Sequence, residues 1–147
     1  MASTAASVST AAASRAGDGV PLWRLYVLRA AYLLLVVGLG AMIVPIVVSH
    51  EPTARGVIPS LLCGLWLLSF VGLKLPLRML PLLMFEFAWK TVWLLAFGLP
   101  QWFSGQQPPT FAEDMFNIAF GVILMPLVIP WGYVWRNYVK APADRWR

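Results

Sequence analysis

Four long apolar runs separated by short polar or basic stretches dominate the chain, at roughly 25–48, 56–73, 77–99 and 113–135. A helix rises about 1.5 Å per residue and the hydrocarbon core of a bilayer is about 30 Å thick, so about 20 apolar residues suffice to cross it. The pattern therefore predicts an all-α polytopic membrane protein, an antiparallel bundle of four transmembrane helices in a single domain over 21–140. The second run is the shortest and is expected to start near Gly56.

The breaks between runs carry their own signals. Arg24 and Arg29 flank the start of the first run, with Trp23 and Tyr26 as interface aromatics, and Pro45 is placed to bend its far end. Ser49 to Arg55 reads as a polar turn, and Lys74-Leu75-Pro76-Leu77-Arg78 as a tight basic hairpin. Pro100 is expected to stop the third helix, leaving Trp102 and Phe103 at an interface. The fourth run contains Pro126 and Pro130 and closes on Trp131, Tyr133 and Trp135. Residues 1–20, rich in Ala, Ser and Thr, cannot bury a core and are expected to form a disordered tail. They lack the basic start and apolar core of a cleavable signal. Residues 141–147 form a basic tail.

Composition sharpens this picture. Hydrophobic residues make up 60% of the 147 and charged residues 12%, with a mean hydropathy of +0.74. Soluble domains hold about 45–50% apolar and about 25% charged residues. So short a soluble fold could not hide the excess. The net charge of +5 gathers into no groove-sized patch, which argues against nucleic acid. Four spans place Arg15, Arg24, Arg29, Lys74, Arg78, Arg136, Lys140, Arg145 and Arg147 on one side and Arg55 alone on the other. By the positive-inside rule both termini are expected in the cytoplasm, with the chain in a bacterial inner (plasma) membrane. Cys63, the single cysteine, excludes an intramolecular disulfide and reads as a small packing residue.

Candidate chemistry is sparse. Glu86 and Lys90 lie within the third run at i,i+4, on one helix face and in the favourable order. Each is costly in lipid, so they are expected to pair and to face protein or water. A proton or ion relay is one reading; an internal ion pair that fixes packing is the better supported, since no second intramembrane carboxylate exists. Arg29 and Tyr32 come into the first span from the same side and are candidates for the same cluster; snorkelling of Arg29 to the interface weighs equally. Phe85, Trp89 and Trp93 form an i,i+4,i+8 line, fit for stacking a pigment or quinone ring but more in keeping with packing or lipid contact. Gly56, Ser60 and Gly64 give the second helix a small residue at every fourth position, a candidate helix-packing face. His50 has no companion ligand, and Asn117 is a lone polar group for a neighbouring helix to satisfy. With no phosphate-cradling loop, H-E-x-x-H or nucleophile constellation, the sequence predicts a non-enzyme without catalytic, cofactor or metal residues.

Two stretches, PLRMLPLLMFEFAWKTVWLLAFGLPQW (Pro76 to Trp102) and PLVIPWGYVWRNYV (Pro126 to Val139), together with the closing APADRWR, resemble a group of short bacterial membrane proteins of unassigned function. The resemblance runs from Pro76 onward, about half the chain, and implies a four-helix inner-membrane protein, with no activity attached. The expected role is that of an accessory, assembly or scaffold subunit, its partners being the lipid bilayer and other membrane subunits or further copies of itself. The alternative is a small oligomeric transporter or permease built on Glu86 and Lys90.

Overall fold

A computed structural model describes residues 20–49, 56–105 and 107–141. The expected tails, the loop with His50 and Arg55, and the final basic residues lie outside the described residues. Four helices are long and apolar enough to cross a membrane: α1 (Leu22–Ser49), α2 (Val57–Lys74), α3 (Leu80–Ser104) and α4 (Phe111–Val128). A short fifth, α5 (Trp131–Val134), runs on into a π turn, Trp135–Val139. Among the described residues there is no strand. The chain is an all-α, multi-pass membrane protein.

Lipid forces this choice, because backbone N–H and C=O groups in hydrocarbon must find partners within their own segment. Hydroxyls in the spans obey the same demand. Ser69 and Thr91 donate to the carbonyls of Leu65 and Phe87, each one turn back, at 2.8 Å. Only 17% of the apolar stretch of α2 and 28% of that of α1 is buried within the chain, so most of each span is left for lipid.

The helix ends depart from expectation at three prolines. The third span starts at Leu80 rather than 77, with Pro81 in its first turn, where a missing N–H costs nothing. It does not stop at Pro100. A π turn, Leu94–Gly98, lies just ahead, and Leu99 N–H already bonds to Leu94 O, five residues back. The helix is thus locally widened where the Pro100 ring has to fit. It runs on to Ser104 and ends at Gly105, whose φ of 70° is the left-handed conformation that glycine adopts at no steric cost. The fourth span, by contrast, stops at Val128 and not near 135. Pro130 forces Ile129 into an extended conformation (φ −65°, ψ 123°), as a proline does to the residue before it. The carbonyl that Pro130 cannot serve is that of Pro126, and the Trp131 indole donates to it at 2.8 Å.

The helices pack as two antiparallel hairpins, α1 with α2 and α3 with α4. The hairpins meet through the first part of α1 against α4 and through α2 against the start of α3. The core sits where they meet: Leu28, Ala31, Tyr32 and Leu35 from α1, Leu80 and Leu83 from α3, Met125 and Val128 from α4, then Ile129 and Val134. This is the basic end of the bundle, which holds the α2–α3 turn and α5.

The α2–α3 turn is irregular backbone and needs outside donors. The Tyr32 hydroxyl donates to Pro76 O and the Tyr138 hydroxyl to Leu77 O, both at 3.4 Å. Burial, with the Tyr133 phenol nearby as a smaller cause, pushes the Tyr138 pKa up and keeps it a donor.

Candidate functional site

The intramembrane pair forms as the spacing predicts. Counted from Leu80, Glu86 and Lys90 stand about 9 and 15 Å along α3, so Lys90 lies near mid-bilayer. Lys90 Nζ is 2.8 Å from Glu86 Oε1, and the Trp89 indole donates to the other oxygen, Oε2, at 2.7 Å. Both carboxylate oxygens are therefore satisfied from the same helix. Glu86 is 2% exposed, and the Lys90 side chain 15%. The ammonium also lies 5.6 Å from the centroid of the Trp89 ring, within cation–π range.

What makes room for the lysine is a glycine on α4. A Cβ at Gly121 would stand 2.7 Å from Lys90 Cδ and from its Nζ. The α3–α4 contact is thus built around the lysine stem lying across bare backbone. Asn117, one turn earlier on α4, is exposed.

The structure does not bring Arg29 and Tyr32 into this cluster. Arg29 is exposed, its guanidinium 6.0 Å from the Tyr26 ring, at the headgroup level to which a long charged side chain reaches when lipid surrounds its helix. Tyr32 is fully buried but turned toward α2, where its ring covers Gly72: a Cβ there would collide with Tyr32 Cδ1 and Cε1. Tyr32 is a packing post between α1 and α2 and a donor to the turn.

The aromatic line also divides. Phe85 is 45% exposed toward lipid, Trp89 is turned to Glu86, and Trp93 folds along its own helix onto Gly98. No continuous stacking surface results.

The candidate packing face on α2 has no occupant among the described residues. A Cβ at Gly56 or at Gly64 would meet nothing within 4 Å, and Ser60 is exposed. Helix contacts are made instead at Gly72 under Tyr32, at Gly121 under Lys90 and at Gly40, where a Cβ would stand 2.5 Å from Trp66 Nε1. That indole donates to Val36 O at 2.9 Å, inside the π turn Leu35–Leu39 of α1, where the helical ladder is locally out of register. These three glycines follow no single repeat. Each is marked only by a large side chain on the helix opposite, a pairing that cannot be read before the helices are placed.

No family model, curated protein or solved structure matches the chain, so its site is described by its geometry alone.

Proposed function

We propose that the protein is a non-enzymatic accessory, assembly or scaffold subunit of a larger membrane complex, set in a bacterial inner membrane with both termini in the cytoplasm. The observation that carries this reading is the open small-residue face of α2. Among the described residues Gly56 and Gly64 have nothing against them, although close backbone approach at such residues is how membrane helices associate. The state of the ion pair supports it. Both Glu86 oxygens are occupied by Lys90 and Trp89, as in a structural clasp.

The alternative is a small oligomeric transporter or permease working through Glu86 and Lys90. It draws on the 15% exposure of the Lys90 side chain deep within a span.

The two readings separate in one experiment. The full chain, tagged and extracted in a gentle detergent, should bring down a stoichiometric larger membrane partner. Gly64→Ile should lose that partner, and the Glu86→Leu/Lys90→Leu double variant should keep it. Recovery of this chain alone, in a form insensitive to Gly64→Ile, would reject the subunit reading. The orientation is tested in intact cells: Ser104→Cys should react with a membrane-impermeant thiol reagent from outside, and Ala141→Cys should not.

A further inference from the structure

We propose that the cleft between the start of α1 and α5 is a binding site for the phosphate headgroup of an anionic phospholipid. The cleft has a volume of about 200 Å³ and is lined by Pro21 and Arg24 from one side and by Pro130, Tyr133 and Arg136 from the other. It thus gathers two guanidinium groups from opposite ends of the chain. Among the described residues neither has a carboxylate partner, the ion pair there being that of Lys90 with Glu86. Arg24 lies against the Trp23 ring at 5.2 Å, which leaves its N–H fork open to an anion. Two like charges around one cleft repel each other, and an anion between them turns that repulsion into attraction. The planar fork of arginine matches phosphate oxygens in pairs, and the Tyr133 phenol adds a further donor.

Size and position decide the ligand class. Sites for drug-sized molecules run to about 300–1,000 Å³, so the cleft suits a phosphate and its ester oxygens rather than a nucleotide or a ring cofactor. Trp23 and Trp131, 60% and 44% exposed, mark the headgroup level on either side of it. Leu22, the chain neighbour of the lining residue Pro21, is 73% exposed and offers apolar surface that an acyl chain can use and a free phosphate cannot. Basic pockets at the cytoplasmic ends of spans are where anionic headgroups are held. The proposal rests on the proposed orientation and is independent of the choice between subunit and transporter.

The test is lipid retention by the purified full chain, followed by native mass spectrometry during titration with phosphatidylglycerol or phosphatidylcholine. The parent should retain phosphatidylglycerol at least about tenfold better than phosphatidylcholine, since a charge-assisted hydrogen bond carries about a decade of affinity. Arg24→Gln/Arg136→Gln should remove that preference, and Arg78→Gln, an exposed residue of the same side outside the cleft, should keep it. Arg24→Lys/Arg136→Lys preserves the charge that sets orientation and removes the fork. It should lose part of the preference, and it serves as the test if the glutamine variant does not insert. Equal retention of the two lipids by the parent, or an undiminished preference in the glutamine variant, would overturn the proposal. So would full displacement of phosphatidylglycerol by equimolar inorganic phosphate, which would make the cleft a free-anion site.

Discussion

The two ends of the bundle are built from the same kinds of residue and packed to different extents: the core cluster gathers at the basic end, while the far end buries Ile43 and Phe111 apart from it. At the basic end Leu28, Tyr32, Leu80 and Leu83 are wholly inaccessible. At the far end Val48 is 80% exposed, Val57 and Ile58 71% each, and Phe103 82%. There, contact stays mostly within each hairpin, as where Trp102 meets Phe111 at 6.2 Å between ring centroids. The contrast shows that apolar composition does not decide packing in lipid, where an exposed leucine meets a solvent as apolar as itself. The basic end closes because shape and polar demand meet there. Rings lie on bare glycine backbone, tyrosines serve the turn, and just beyond, the ion pair needs shelter.

The largest expected effect tests that shelter. Lys90→Leu leaves the Glu86 carboxylate buried with only an indole donor and should cost about 3–5 kcal/mol, read as a fall in thermal stability in detergent. Adding Glu86→Leu should restore most of it; a double variant no better than the single would show that the pair does more than neutralise itself.

Next come paired truncations that set the two ends against each other. Leu83→Ala should cost about 2 kcal/mol, mostly from the cavity left behind, while Ile58→Ala should stay within about 0.5 kcal/mol. Equal losses would abolish the distinction between the ends. Two glycines of α2 sharpen it further. Gly72→Ala drives a methyl into the Tyr32 ring and should cost about 1–3 kcal/mol, whereas Gly64→Ala meets open space and should be neutral or slightly stabilising in the purified chain. Among the variants expected to lose stability, the smallest loss belongs to Trp66→Phe. It removes the donor to Val36 O and should cost about 0.6–1 kcal/mol, the usual worth of a hydrogen bond between membrane helices.

The spans were legible because the rule behind them is local. Any run of about 20 apolar residues must satisfy its own backbone, and a helix does so without knowledge of its neighbours. The Glu86–Lys90 pair was legible for the same reason, since both partners stand on one helix four residues apart. Pro130 ended α4 through the conformation it imposes on Ile129, a signal present in the sequence that the apolar run concealed. Pro100 did the reverse, because the π turn ahead of it widens the helix and no residue type announces such a turn. The contacts of Tyr32 with Gly72 and of Lys90 with Gly121 depend on rotation of one helix about another. A regular stripe such as Gly56, Ser60 and Gly64 is easier to see, yet no described residue covers it.

The tyrosine hydroxyls on the α2–α3 turn impose an order on the birth of the molecule. Tyr32 precedes its acceptor at Pro76 by 44 residues, so it is already in place when the turn is made. Tyr138 follows its acceptor at Leu77 by 61 residues. At about 5–20 residues per second, the ribosome delivers it roughly 3–12 s later. Through that interval Leu77 O lacks the phenol that serves it in the finished protein. The most C-terminal helical segment among the described residues is thus the one that completes the turn between the hairpins.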